Sequence, residues 1–279
     1  MAKADKIYMR FWGARGSITT PGIETVKYGG NTSCVEVRCG KEIIILDAGS
    51  GIRKLGDKIL EEKPQHINIL FSHFHWDHIQ GFPFFAPVFN EKYSITLIGE
   101  SKMNFTLEQL FTNQLMFPYF PVSLEDLNAK ISFHEIKRCN NIKIKDVTIK
   151  LARLNHPGGC IGYRIEYGGK SLVYATDTEH FSCVDKSLLK LALNADVLIY
   201  DCNYTEDEYS GKIGPPRTHW GHSTWTQGVK IAKAANVKKF ILFHHDPAHD
   251  DKFVAKIERD ARKEFKKSYA AYEGMELSL

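Results

Sequence analysis

Short apolar runs, each closed by glycine or a polar turn, recur along this chain. Tyr8 to Trp12 and Thr32 to Arg38 alternate apolar and polar positions, the period of a half-buried strand. Gly13, Gly16, Gly22, Gly29 and Gly30 break the stretch between them into loop. Ile43 to Leu46, residues 67–71 and Ser94 to Gly99 are apolar enough for buried strands. Ile52, Leu55 and Ile59 instead follow helical spacing, directly after Asp47-Ala48-Gly49-Ser50-Gly51. Residues 101–117 predict a second helix carrying Leu107, Leu110 and Phe111, which the prolines at 118 and 121 cannot extend. Between them lies an aromatic stretch, Ile79 to Phe89, whose rings are expected to pack on the sheet.

The second half repeats this grammar. Ile131 to Ile136, Val147 to Leu154, Gly162 to Tyr167, Lys170 to Ala175, Val197 to Tyr200 and Phe240 to Phe243 predict strands. Gly168-Gly169 predicts a hairpin turn. Helices are expected over Ser187–Leu193, Thr224–Ala235, with Thr224-x-x-Gln227 as a capping box, and 251–268. The last carries Phe253, Ile257, Ala261 and Phe265 at spacing four, with a basic opposite face in water. Two comparable halves, each with strands and helices, suggest two sheets packed face to face with helices outside, in one domain spanning 1–279.

Composition narrows the class. Apolar residues make up 43% and charged residues 25%, as in ordinary globular proteins. No apolar run approaches a membrane span, and the first six residues lack a secretory apolar segment, so a cytoplasmic protein is expected. Cys34, Cys39, Cys139, Cys160, Cys183 and Cys202 are scattered and read as reduced, buried thiols. A net charge of +4 is too small to imply a nucleic-acid partner but suits an anionic small substrate.

The candidate chemistry centres on Ser72-His73-Phe74-His75-Trp76-Asp77-His78, where a strand ends. His73 and His75 leave an extended segment on one face. Asp77 and His78 follow Trp76 and point toward a second centre. Burial alone does not explain so many ligand-type side chains together, since each would need its own partner. Imidazoles and a carboxylate suit zinc or a similar borderline metal. Four later places repeat the pattern of a ligand-type residue beside an element end. These are His156, Asp177, His222 before the 224–235 helix, and the pair His244-His245. Together they supply enough ligands for two ions.

The order His-x-His-x-Asp-His, then a lone His, an Asp and two His, resembles the metallo-β-lactamase superfamily from Phe11-Trp12-Gly13-x-Arg15-Gly16-Ser17 to His249. The Asn31-Thr32-Ser33 and Gly221-His222-Ser223-Thr224 elements and the His244 strand end resemble its phosphodiesterase branch. That branch holds tRNA 3′-processing endonucleases and phosphodiesterases of cyclic phosphates and cyclic nucleotides. The resemblance implies an α/β fold, a four-layer αββα sandwich with a dinuclear site on one edge. It implies His73, His75 and His156 on one ion, Asp77, His78 and His244 on the other, and Asp177 bridging both. His245 is the rival of His244, and Asp47 matches an aspartate that braces the metal loop. The two divalent ions are expected to be Zn2+, with Mn2+ or Fe compatible. They would acidify a bridging water to make the nucleophile. Asp77 would orient it or take its proton, and His222 would stabilise developing charge or protonate the leaving oxygen. His219 stays outside this set.

The same resemblance bears on substrate. Oxygen-reducing diiron members carry Glu where His75 stands, and true β-lactamases lack the His222 element. Many tRNA nucleases carry a long arm in the interval that here, from His156 to Asp177, reads as a hairpin. The expected reaction is therefore hydrolysis of a small phosphodiester, foremost a 3′,5′-cyclic nucleotide to its 5′-mononucleotide, with the aromatic stretch 79–89 as a base platform. A cyclic ribose phosphate and a precursor tRNA are the alternative substrates. A metal-dependent binding or sensor module and a thioester hydrolase are the rival classes. Neither nucleic acid nor a membrane is an expected partner, and a homodimer is common among such relatives.

Overall fold

The structure is a computed structural model that describes residues 6–102, 104–137 and 141–279. Its first sheet uses β1 (Ile7–Gly13), β2 (Cys34–Cys39), β3 (Glu42–Leu46), β4 (His66–Leu70), β5 (Ser94–Gly99) and β6 (Lys130–Glu135). The second uses β7 (Ile142–Ile144), β8 (Val147–Leu154), β9 (Cys160–Tyr167), β10 (Lys170–Ala175), β11 (Val197–Asp201), β12 (Lys239–Phe243) and β13 (Ser268–Ala270). A last strand, β14 (Glu276–Ser278), returns to pair with β1. Strand order is 14-1-2-3-4-5-6 in one sheet and 13-12-11-10-9-8-7 in the other. Each sheet is part antiparallel and part parallel. β3 to β6 run parallel in the first, and β10 to β13 in the second.

Period-two alternation explains the layering. Ile44 and Leu46 face the second sheet and meet residues such as Tyr163, Tyr174 and Ile199. Ile43 and Ile45 face outward, under Ile52, Leu55 and Ile59 of α1 (Ile52–Glu62). On the far side Leu198, Phe240 and Leu242 lie under α4 (Lys186–Ala192), α6 (Trp225–Ala234) and α7 (Asp251–Glu264). The result is the four-layer αββα sandwich expected from the sequence. Among the described residues three short α-helices join these: α2 (Trp76–Ile79), α3 (Leu107–Gln114) and α5 (Glu206–Tyr209).

Several expectations are corrected. The helix expected over 101–117 is only α3. A reciprocal Thr106–Gln109 capping box starts it late, and Leu110 is only half-buried. At α6 the box is half formed. Thr224 accepts from Gln227 N–H, but the Gln227 side chain turns to Glu206. α7 ends at Glu264, short of 268, because Phe265 leaves the helix with φ −140° and Ser268 joins β13. Of the aromatic stretch, Phe82 and Phe85 are fully buried while Phe84 and Phe89 are exposed, so half of it packs as expected. Cys183 is exposed, unlike the buried Cys34, Cys39, Cys160 and Cys202; Cys139 lies outside the described residues. Gly168 and Gly169 both adopt positive φ, as the hairpin turn requires. Among the described residues no helix is long and apolar enough to cross a membrane.

Parallel strands deliver their C-terminal ends to one edge. β3, β4, β10, β11 and β12 all end there, at Leu46, Leu70, Ala175, Asp201 and Phe243. Hydrogen bonds knit the halves beside it: Ile161 N–H to Ser72 O at 2.9 Å and Tyr163 Oη to Phe71 O at 2.5 Å. The core between the sheets should therefore dominate stability. Ile199→Ala, fully buried there, is expected to cost roughly 2–5 kcal/mol in urea unfolding. Ile18→Ala, at an exposed site, should stay within about 0.5 kcal/mol. Similar costs at both sites would contradict this core assignment.

Candidate metal centre

β4 ends at Leu70, and the chain bends at Ser72 before His75, whose extended φ −66° and ψ 152° precede α2. His73 and His75 therefore leave the connection between β4 and α2, while Asp77 and His78 sit on the single turn of α2. The distant residues arrive from the other sheet's edge: His156 after β8, Asp177 after β10, His244 after β12. Two groups form. His73, His75, His156 and Asp177 have ligand atoms within 4.8 Å of one another, as do Asp77, His78, Asp177 and His244.

Asp177 faces both. Its Oδ2 lies 3.5 Å from His73 Nε2 and 3.8 Å from His156 Nε2. Its Oδ1 lies 3.2 Å from both His78 Nε2 and His244 Nε2. Asp77 Oδ2 stands 3.2 Å from His78 Nε2 and 3.1 Å from His244 Nε2. Nitrogen faces nitrogen at 3.2 Å between His78 and His244, and at 3.0 Å between His75 and His156. His73 Nε2 is buried with no hydrogen-bond partner. An orphaned buried nitrogen and facing imidazole nitrogens fit a pair of shared cations, which would satisfy all of them together.

Ionisation follows the same geometry. Burial lowers the pKa of His73, His75 and His156, keeping them neutral as ligation requires. Burial opposes ionisation of Asp77 and Asp177, yet the histidines around them hold both far below the usual carboxylate range. Burial also opposes a charged His78, but Asp177, Asp77 and Asp47 push its pKa well up.

Surrounding groups fix the donors. Asp47, at φ 60°, accepts at 2.7 Å from Ser72 N–H, Ser72 Oγ, Tyr174 Oη and His78 Nδ1. His78 Nδ1–H thus goes to Asp47 and leaves Nε2 for the centre. The early glycine motif also reaches the site. Ser17 N–H donates to Asp77 Oδ2 at 2.8 Å, and a Cβ on Gly16 would strike the His244 ring. Asn203 Nδ2 donates to His244 O. His156 Nδ1 donates to Gly221 O at 2.8 Å, and Gly221, at φ 85°, leaves no room for a Cβ against that ring. His245 turns away, with Nε2 donating to Ala271 O.

His222 lies beside the centre, its ring stacked on His244 at 5.0 Å. Its Nδ1 is 2.9 Å from Asp201 Oδ2 and 3.9 Å from Asp177 Oδ2. Burial works against protonation, but Asp201 and Asp177 raise its pKa to about 9. A third possible ligand group, Asp177, Asp201, His222 and His244, overlaps the second. The direct His222–Asp201 hydrogen bond already occupies that imidazole nitrogen. Asp201, Asn203 and Glu179 are residues that sequence reasoning missed, and Ser17 appeared there only as part of the early glycine motif. Asp201 does end an apolar strand, the one local signal available. His219 is exposed and outside both groups.

A family model described as "Beta-lactamase superfamily domain" matches residues 43–245, well over half of the chain. The chain belongs to that superfamily. Ribonuclease Z of Picrophilus torridus is 26% identical over 320 aligned residues, covering 100% of this chain and 97% of its own. The metallo-β-lactamase fold protein YhfI of Bacillus subtilis superposes with TM-score 0.72 at 20% identity, covering 99% of this chain and 100% of YhfI. The short form of human tRNase Z gives TM-score 0.66 at 18% identity, covering 97% and 98%. These structural likenesses establish the fold. With its ligand groups, the superfamily member is a metal-dependent hydrolase.

The Asp47 bonds predict their own test. Asp47→Ala should weaken metal affinity about 10- to 100-fold in chelator competition. Unchanged affinity would show that Asp47 only braces the fold.

Proposed function

We propose that this chain hydrolyses phosphodiesters at two divalent ions, Zn2+ by its histidine-rich donor set, held in the groups that Asp177 links. The supporting observation is the split of one carboxylate between two histidine pairs, with the His222–Asp201 pair alongside. His73, His75 and His156 would hold one ion, Asp77, His78 and His244 the other, and Asp177 both. Bound there, the ions supply Lewis acidity, acidifying water and offsetting charge on phosphoryl oxygens. Asp77, steadied by Ser17 N–H and held as the anion by the histidines around it, would orient the attacking water. Asp201 aligns the His222 ring and favours its protonated form, so His222 can protonate the leaving oxygen.

The relatives named Ribonuclease Z make an RNA the better-supported substrate, ahead of the 3′,5′-cyclic nucleotide expected from the sequence. They also weigh against the expectation that nucleic acid is no partner. The cyclic-nucleotide reading keeps one support of its own. From Cys160 to Ala175 the chain between His156 and Asp177 is a tight β9–β10 hairpin.

One panel separates these readings: precursor tRNA, 3′,5′-cyclic AMP, a cyclic ribose phosphate and bis(p-nitrophenyl) phosphate with the zinc-loaded protein. Cleavage of the precursor supports the RNA reading, and selective cleavage of cyclic AMP supports the small-substrate reading. Inactivity on every diester with two ions bound contradicts the phosphodiesterase. His222→Ala should lower kcat about 100- to 10,000-fold with two ions retained. In Asp201→Asn the alkaline limb of the kcat profile should move to lower pH, because the neutral amide no longer favours a protonated His222. An unmoved limb would remove His222 as the acid.

A further inference from the structure

Beside His156 lies a groove of about 420 Å³, lined also by Pro157, Glu179, Phe181 and His219. Phe181 is 42% exposed, and His219 is exposed beside it. Their ring centroids are 5.6 Å apart and the planes incline by 49°, making an aromatic corner. Both residues hold a left-handed backbone, at φ 47° and 70°. Bulky side chains rarely adopt it, and such strain persists only where surrounding structure enforces it.

At His219 the enforcing group is Glu179, a buried carboxylate. It accepts from His219 N–H at 2.8 Å, Gly221 N–H at 3.0 Å and Tyr209 Oη at 2.7 Å. Gly221 is the residue whose carbonyl holds His156. One buried carboxylate therefore ties the aromatic corner and a candidate metal ligand to the same stretch of backbone.

Resting on the phosphodiesterase reading above, we infer that Phe181 and His219 form the nucleoside wall of the site. They take the nucleobase of the nucleoside attached to the scissile phosphate. A diester seated at the ions has the groove at its flank on the His156 side, where a flat aromatic substituent can stack. Stacking tolerates any base, because every base presents a π face. The wall thus gives a preference for nucleosides over other phosphate substituents without selecting a sequence.

The test compares two esters with the same leaving group, thymidine 5′-(p-nitrophenyl phosphate) and methyl p-nitrophenyl phosphate. The readout is the ratio of their kcat/KM values. Phe181→Ala should reduce the wild-type preference for the thymidine ester by roughly 5- to 150-fold, mainly through KM. Phe181→Tyr, which keeps an aromatic face, should retain that preference. An unchanged ratio in Phe181→Ala, or equal losses on both esters, overturns the wall while leaving the phosphodiesterase intact. Cleavage of neither ester by wild-type protein with two ions bound sinks the phosphodiesterase reading and the wall with it.

Discussion

A single carboxylate, Asp177, stands between imidazoles that hydrogen bonds alone leave unsatisfied. Each of its oxygens faces a different histidine pair, and His73 Nε2 beside it has no hydrogen-bond partner. Buried polar groups of this kind are costly unless something neutralises them together. Two shared cations would do so, and the neutral state that burial favours for His73, His75 and His156 is the state that ligation requires. The proposed metal binding and hydrolysis both rest on that crowding.

The sandwich makes the crowding possible. Parallel strands in both sheets end at one edge, so residues far apart in the chain meet there. The turns after them are sharp. Asp47, Asp177 and His244 each hold positive φ within two residues of a strand end, and Ser17, on the loop touching Asp77, holds it too. Such backbones cost about 1–3 kcal/mol each and need a rigid frame. The frame is the core between the sheets, closed by Tyr174, whose hydroxyl crosses it to Asp47.

Much of this was legible because its signals are local. Alternation marked most strands to within two residues, and Gly168-Gly169 marked a turn whose two positive φ values only glycine takes easily. The ligand types His73, His75, Asp77 and His78 stood out by their density alone. What stayed hidden depends on contacts across the chain. Asp201 and Glu179 look like ordinary carboxylates until folding brings His222 and the 219–221 backbone to them. β7, β13 and β14 have three residues each, too few to show a period. The aromatic residues at 82–89 looked available for a base, yet burial claims Phe82 and Phe85, while Phe181 carried no pattern at all.

Anomalous diffraction from crystals of the metal-loaded protein would locate the ions themselves. The prediction is two peaks per chain flanking Asp177. One lies among His73, His75 and His156, the other among Asp77, His78 and His244. A single peak, or a peak between Asp201 and His222, would contradict the bridged pair and the division of labour built on it.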